Sequence, residues 1–390
     1  MQLVYQGFHS RSDSPVAEAN AAIEQASITA GEKPILIGYT PVGRMNPYQA
    51  LLYREVGDHG FAVAPIVKSW DFAKLSQVRS KASLIVVHIH WTSFVLNSIT
   101  SYQTAKKKIQ DFKTDIERVI SQGGKIVWTL HNVIPHNSRF VDLEIEVQQY
   151  IADKASVIHV LSEASVEVMS DFISFDRSKI LHVPHPNYKS TYEDYVNRDQ
   201  ARTTLGLSSD DKVYVLLGAL KAYKGLGTLL AAFESLCARD PSVPRKLLVG
   251  GMPDDDPEVA SFVEACKKSA NVLIEAKKIP ANYVQYYMRA ADIGLAPYSR
   301  MLNSGAILLY QTFELPVVTS NVSAIWENLD EDIAEMAVDD SVAALESALQ
   351  RADRFIGSDT SWRIRAHTEQ YDSSDLSREF ARELRSMLDA

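Results

Sequence analysis

Two stretches carry residue types that could hold an anion such as phosphate. The first runs from Leu302 to Val318, Leu-Asn-Ser-Gly-Ala-Ile-Leu-Leu-Tyr-Gln-Thr-Phe-Glu-Leu-Pro-Val-Val, and follows the apolar run Ile293 to Ala296, stopped by Pro297 and Tyr298. Asn303 or Ser304 can cap a helix over Gly305 to Phe313, and Pro316-Val317-Val318 restarts a strand. Free backbone N–H groups at that helix start, with Gly305 allowing close approach, suit a phosphate. An ordinary capped helix has the same pattern, so the stretch needs a partner. The second stretch, Leu217-Gly218-Ala219-Leu220-Lys221-Ala222-Tyr223-Lys224-Gly225, supplies one. A strand there runs into a loop with two glycines and two lysines and then into a helix. Its spacing fits neither the dinucleotide-binding glycine fingerprint nor a P-loop. On one sheet edge, the two loops together make a diphosphate site.

Histidines mark a second group. His88-Ile89-His90-Trp91 and Thr129-Leu130-His131-Asn132 each close an apolar run, and His136 follows five positions later. Strand alternation puts His88 and His90 on one face, with His88 reading as a core or capping group. His90 and His131 lie at carboxyl ends of strands, where α/β folds bind ligands. No pair has the spacing of a helical zinc motif and no cysteine lies near, so no metal is expected. The acidic cluster Asp254-Asp255-Asp256, between Pro253 and Pro257, reads as a surface turn at a helix start.

The elements that would position these groups follow from periodicity. Strands are expected over Pro34–Tyr39, Phe61–Ile66, Ser83–His90, Lys125–His131, Ser156–Leu161 and Lys179–Val183. Between them lie a loop with Gly43 and Arg44, a helix from Pro47 to about Gly57, and helices over Thr104–Ser121, Val141–Ala152 and Ser162–Ile173. Val183-Pro184-His185-Pro186 breaks the rhythm. Alternation resumes with strands at Val213–Leu217, Lys246–Val249, Asn271–Ile274, Ile293–Ala296 and Val317–Thr319. Short apolar strands alternating with amphipathic helices indicate parallel, doubly wound sheets. The expected division is 1–186, 187–365 and a C-terminal helix at 366–390, with a ligand cleft between the two large domains. Residues 1–33 read as a surface extension, with a strand at Leu3-Val4-Tyr5, a loop with His9, Arg11 and Asp13, and a helix over Pro15–Ala26.

Composition narrows the class. Across 390 residues, 46% are apolar and 40 basic residues face 49 acidic ones, for a net charge of -9. Such a balance argues against a nucleic-acid partner. There is no long apolar run and no leader pattern, and Cys237 and Cys266 make no motif, so an unexported, cytoplasmic chain is expected. Lys106-Lys107-Lys108 with Lys113 marks a solvated helix face, or a weak peripheral contact with an anionic inner-membrane surface.

Taken together, Gly218-x-Leu220-Lys221-x-Tyr223-Lys224-Gly225, Asp292-x-x-Leu295-Ala296-Pro297-Tyr298, Asn303-Ser304-Gly305 and Leu315-Pro316-Val317-Val318 resemble the donor half of GT-B glycosyltransferases of the group-1 class. Asn46-Pro47-Tyr48, His88-Ile89-His90-Trp91, Trp128 to Asn132, Pro135-His136 and Pro184-His185 resemble a bacterial branch, similar to family 4, that builds polysaccharides. The resemblance spans roughly residues 34–365. It implies an α/β, GT-B fold: two Rossmann-like doubly wound domains facing a central cleft, the first for acceptor and the second for nucleotide-sugar. The activity it implies is hexosyl transfer from a nucleotide diphosphate sugar to a glycan or lipid-linked acceptor, with no metal or other cofactor. A sugar-nucleotide epimerase of the same fold and a non-catalytic sugar-binding protein are the alternatives.

Carried over residue by residue, the resemblance places His131 in catalysis. It assigns Gly218, Lys221, Lys224, Tyr298, Asn303, Ser304 and Gly305 to the donor, and Gly43, Arg44, His90 and Asn132 to acceptor or sugar. This chain also departs from the pattern. Ala219 stands where the family has an arginine, and residues near Met301 and Leu309 stand where many members have two glutamates. Glu314 replaces a usual glycine and Asn137 a common glutamate. Those departures leave the sugar, the base and the stereochemical course unassigned.

Overall fold

The computed structural model describes residues 14–30, 32–43, 46–134, 138–298 and 301–389. The expected features at Leu3-Val4-Tyr5, His9, Arg11, Asp13, Arg44, Pro135, His136 and Asn137 lie outside the described residues. Two compact units emerge, one holding the chain to Pro186 together with residues from Ser373 onward, the other spanning Asn187–Asp372.

In the first unit, β1 (Ile35–Thr40), β2 (Phe61–Pro65), β3 (Leu84–Ile89), β4 (Lys125–Leu130), β5 (Val157–Val160) and β6 (Ile180–His182) form one parallel sheet in the order β2-β1-β3-β4-β5-β6. Every residue of β1 is buried, as a strand covered on both faces must be. The chain leaves β1 for β2 on one side and returns to β3 on the other, so the sheet's switch point lies between β1 and β3. Covering helices are α1 (Pro15–Ala30), α2 (Tyr48–Leu52), α3 (Tyr102–Ser121), α4 (Val141–Lys154) and α5 (Ala164–Ser170). In α3 the buried residues Ala105, Ile109, Phe112, Ile116 and Val119 recur every three or four positions, and Ser101 caps it by accepting from Thr104 N–H.

The expected helix from Pro47 to Gly57 is shorter than its periodicity suggested. Asn46 Oδ1 accepts from Tyr48 N–H at 3.0 Å and starts α2, which stops at Leu52. The chain continues as a 3₁₀ turn over Val56–His59, closed by Gly60 at φ 79°. A further 3₁₀ segment over Ser69–Lys81 was not anticipated.

The second unit repeats the plan. Strands β7 (Lys212–Leu217), β8 (Arg245–Gly250), β9 (Val272–Glu275), β10 (Ile293–Ala296), β11 (Val317–Ser320) and β12 (Ala334–Ala337) lie parallel in the order β12-β11-β10-β7-β8-β9. Its switch point lies between β7 and β10. The unit's helices are α6 (Arg198–Leu205), α7 (Leu226–Arg239), α8 (Pro257–Lys268), α9 (Val284–Ala290), α10 (Gly305–Thr312), α11 (Ser323–Trp326), α12 (Val342–Ala352) and α13 (Ser361–Glu369). Strand β12 was missed because Ala-Glu-Met-Ala has neither β-branched residues nor an apolar run.

The single terminal helix expected over 366–390 is two pieces. Tyr371 carbonyl accepts from Asn187 N–H at 2.8 Å, which holds the chain to the second unit as far as Asp372. Then α14 (Ser373–Asp389) returns to the first unit. Leu376, Phe380, Ala381, Leu384 and Leu388 form its buried stripe, and Ser377 Oγ donates to Leu52 carbonyl at 2.7 Å. An amphipathic period announces a buried face but not its partner.

Candidate active site

The second unit brings both predicted anion-binding loops to its switch point, where open α/β sheets take ligands. Gly218 leaves β7 with its N–H donating to Gly250 carbonyl at 2.9 Å. Ala222–Lys224 then form one 3₁₀ turn, and Gly225 at φ 64° hands the chain to α7. A side chain at 225 would be strained by that φ, and its Cβ would sit 2.8 Å from Pro297 carbonyl oxygen. The start of α7 therefore lies directly against the end of β10.

That turn buries Lys224, which keeps 6% of its surface. Its Nζ lies 4.9 Å from the centre of the Tyr298 ring. Burial, with a smaller contribution from the Lys221 charge, lowers its ammonium from 10.5 to about 8. Tyr298 is itself buried, and its hydroxyl has no hydrogen-bond partner among the described residues. A buried ammonium beside a polar atom left unsatisfied is a costly arrangement for a scaffold and an apt one for an anionic ligand. Lys221 is half-exposed and stands 4.0 Å from Asp254. The acidic cluster does cap a helix: Asp256 accepts from the N–H groups of Glu258 and Val259 at the start of α8.

Across the switch point, Ser304 is the N-cap of α10 and its Oγ accepts from Ile307 N–H at 3.3 Å. Asn303, Ser304 and Gly305 are half-buried at this helix start, whose remaining amides carry the positive end of the helix dipole. Met301 and Leu309, the positions without the expected acids, are both buried apolar residues. Glu314 follows α10 at φ 64°, the left-handed region a glycine would fill without strain, and pairs with Arg365 at 2.7 Å.

Two pockets are lined by described residues of this unit. One of about 440 Å³ is lined by Arg198, Arg289, Ala291, Glu314 and Leu315, at the amino ends of β10 and β11, the edge opposite the ligand edge. A second of about 100 Å³ lies beside Gly225 and Pro297 and is too small for a nucleotide.

The first unit gathers the histidines at the carboxyl edge of β3 and β4. His90 is buried and His131 half-buried, with His90 Nδ1 and His131 Nε2 3.2 Å apart. Trp91 stacks on His131 with ring centres 4.6 Å apart, and Tyr48 meets it edge-on at 4.9 Å. Gly43 allows the loop after β1 to approach this layer: a Cβ there would be 3.0 Å from the Trp91 ring. Its N–H donates to Gln49 Oε1 at 2.8 Å. Asn132 follows His131 at the same edge, half-buried.

Beneath the edge the network continues. Tyr53 Oη lies 2.8 Å from His90 Nε2 and 2.7 Å from His88 Nδ1. His88 Nε2 meets Thr129 Oγ1 at 2.7 Å, and Thr129 meets His159 Nδ1 at 3.1 Å. Burial, reinforced by neighbouring imidazoles, holds His88, His90 and His131 well below the usual histidine range, and burial brings His159 to about 4. All four are neutral at pH 7.

Tyr53 and His159 were not singled out from sequence, and Tyr48 and Thr129 entered only inside longer motifs, with no role of their own. The strand signal was present: Thr129 and His159 are register partners on β4 and β5, and Thr129 shares a face with His131. No charged cluster among the described residues could hold a metal ion.

Residues 211–352 match the family described as glycosyl transferases group 1. The chain is 27% identical over 322 residues to a GDP-mannose:glycolipid 4-beta-D-mannosyltransferase of Xanthomonas campestris pv. campestris, covering 82% of this chain and 79% of that one. It is 30% identical over 191 residues to a D-inositol 3-phosphate glycosyltransferase of Rhodococcus opacus, covering 47% and 41%. Among solved structures, the sucrose-phosphate synthase of Thermosynechococcus elongatus matches with a TM-score of 0.67 at 16% identity, over 92% of this chain and 100% of that one. HepE of Anabaena in complex with UDP-glucose matches with a TM-score of 0.66 at 13% identity, over 90% and 99%. The two parallel six-stranded sheets are thus those of the GT-B fold, and over residues 211–352 the second unit is similar to the group-1 glycosyltransferases.

Proposed function

We propose that this glycosyltransferase moves a hexose from a nucleotide diphosphate sugar to a glycolipid or lipid-linked saccharide, in the synthesis of an exopolysaccharide or cell-surface glycan. The observation that carries the donor assignment is the buried Lys224 ammonium at the β7/β10 switch point. The acceptor class rests on the mannosyltransferase relative, whose name specifies a glycolipid. As the bond from the anomeric carbon to the diphosphate breaks, negative charge grows on the departing oxygen. Lys224, Lys221 and the amides at the start of α10 neutralise it, helped by Gly218, Tyr298, Asn303, Ser304 and Gly305 as the walls of the site. Fixed cations and amides of this kind stabilise developing charge without a divalent metal.

In the first unit, His131 meets a hydroxyl of the transferred sugar or of the acceptor, with Gly43, His90 and Asn132 shaping its surroundings. General acid–base groups contribute ~10²–10⁴-fold, so His131→Ala should lower kcat by about a hundredfold or more and leave free-nucleotide affinity intact. A second contact is weaker. Lys106 and Lys107 are exposed on α3, while Lys108 covers the Trp70 ring at 4.9 Å and Lys113 pairs with Glu146 at 2.6 Å. The exposed pair offers a peripheral contact to anionic lipid, worth ~1 kcal/mol per lysine. Co-sedimentation with anionic vesicles that is unchanged on replacing Lys106 and Lys107 removes that contact.

The deciding experiment measures thermal stabilisation by GDP-mannose, UDP-glucose and other nucleotide sugars, followed by transfer to a lipid-linked saccharide with and without a chelator. Stabilisation by one donor and chelator-resistant transfer are expected. Stabilisation by none of them refutes the donor site, and activity lost to chelation and restored by manganese refutes metal independence.

A further inference from the structure

The histidine network of the first unit has a direction, and the direction starts at a main-chain carbonyl. His159 Nε2 lies 2.9 Å from Val183 carbonyl oxygen, which can only accept. His159 is neutral, so its one ring proton is on Nε2 and Nδ1 is an acceptor. Thr129 Oγ1, 3.1 Å from that Nδ1, therefore donates to it and must accept from His88 Nε2 at 2.7 Å. The same rule repeats outward. His88 Nδ1 accepts from Tyr53 hydroxyl at 2.7 Å, and Tyr53 oxygen accepts from His90 Nε2 at 2.8 Å. His90 Nδ1 then accepts from His131 Nε2 at 3.2 Å. Reversing the chain would set the lone pairs of Thr129 Oγ1 and His159 Nδ1 against each other at 3.1 Å. Only the Tyr48 hydroxyl, at 3.5 Å, would then be left to satisfy His159.

We propose that this relay, anchored on Val183 carbonyl and passing through His159, Thr129, His88, Tyr53 and His90, locks His131 as the Nε2–H tautomer. Its Nδ1 is the lone-pair nitrogen, and Tyr53 is the positioning residue at the centre. The inference rests on the reading of His131 as the group that meets a sugar hydroxyl. In this tautomer His131 accepts a hydrogen bond or a proton at Nδ1. The imidazolium formed by proton uptake keeps its Nε2–H bond to His90, so no other member of the relay has to turn. Histidine tautomers set by the partner of the second nitrogen are a recognised means of fixing a ring's role. Here the setting is transmitted through five side chains rather than one, and Phe380 of α14 packs on the His88 and His159 rings with centres 5.8 and 5.0 Å away.

The test uses the full chain labelled with ¹⁵N at histidine, with the two-bond proton–nitrogen correlation spectrum read at pH 7. His131 is assigned by the signal lost in His131→Ala. Four neutral rings, His88, His90, His131 and His159, should each show a protonated Nε2 and an unprotonated Nδ1. Tyr53→Phe removes the central oxygen, so His90 and His131 should become tautomer mixtures while His159 keeps its pattern. The bond lost joins neutral groups, so kcat should fall about two- to tenfold with free-nucleotide affinity unchanged. A His131 protonated at Nδ1 in the unsubstituted protein overturns the relay, and that spectrum needs no variant to fold. Unchanged tautomers and turnover in a folded Tyr53→Phe overturn it too. Full turnover in His131→Ala instead removes the sugar-facing role, and the spectrum still decides the relay.

Discussion

Lys224→Met separates a binding group from a structural one by the sign of two effects. The fall of the Lys224 ammonium from 10.5 to about 8 means the fold disfavours its charged form by about 3 kcal/mol, at ~1.4 kcal/mol per tenfold. At pH 7 the group is still mostly charged, so the folded, ligand-free protein carries that cost in full. Methionine fills the same channel without a charge and adapts to irregular space. It forfeits the cation–π contact with Tyr298, worth up to ~2 kcal/mol when desolvated. The ligand-free variant should therefore be more stable than the parent at pH 7, by about 1–3 kcal/mol.

Its affinity for nucleoside diphosphate should move the other way. Loss of a charge-assisted bond of ~1.5–3 kcal/mol weakens binding roughly ten- to a hundredfold. The pH dependence carries a sign of its own. Between about pH 8 and 10.5 the unfolded chain keeps a proton that the folded one has released, so parent stability rises with pH across that window. Below about 8 both states hold the proton and the cost is constant. The variant should lack that rise, and in the parent nucleotide affinity should decline above about pH 8 as the ammonium empties. Urea denaturation at pH 7 and 9.5, beside calorimetric titration with the nucleotide, measures all of this. A Lys224→Met protein that is less stable than the parent and binds nucleotide equally well would refute the reasoning.

Three further outcomes follow from single residues. Glu144 is buried with one carboxylate oxygen unpartnered among the described residues, and burial raises it from 4.5 to about 7. The folded state holds its proton between those values and the unfolded state does not, so the site loses stability as pH rises through that window; Glu144→Gln should gain up to about 3 kcal/mol at pH 8 and nothing at pH 4, by denaturation. Gly225→Ala forces a left-handed residue and a Cβ 2.8 Å from Pro297 carbonyl, and should cost at least ~2 kcal/mol together with nucleotide affinity, while equal stability would disprove the close approach. Glu314→Gly relieves a left-handed residue worth ~1–2 kcal/mol against an exposed ion pair worth ~0–1, so thermal unfolding should move up slightly; a clear drop would mean that the Arg365 pair outweighs the backbone.

The balance of what the sequence disclosed follows physical range. Elements set by local pattern were legible: the buried strand Ile293–Ala296 has the bounds its apolar run suggested, and Ser304 caps α10 as its hydroxyl and position required. Features set by distant partners were not. The stripe Leu376-Phe380-Leu384-Leu388 announces a buried face, yet only the folded chain says that this face closes over the first unit, more than 300 residues away in sequence from Leu52 and Glu55. The same divide runs through the candidate site. His90, His131, Lys221 and Lys224 were visible because a polar residue at the end of an apolar run is conspicuous.

Tyr53, Thr129 and His159 were not conspicuous, because each reads alone as an ordinary core residue. What joins them is register, since parallel pairing sets Thr129 beside His159, while β3 brings His88 within reach of Thr129 from the other side. A sheet with both faces covered normally excludes such polar groups, because an unsatisfied one costs about twice what a satisfied one gains. Five of them persist here with every link made, and the departure from an apolar core ends at His131, the one histidine of the chain of contacts that is not fully buried. Buried polarity of this extent is held in register by its own geometry, so an isolated change in its middle should be read at its exposed end. Stability alone would not distinguish it from packing, whereas a change of tautomer at His131 on substituting Tyr53 would.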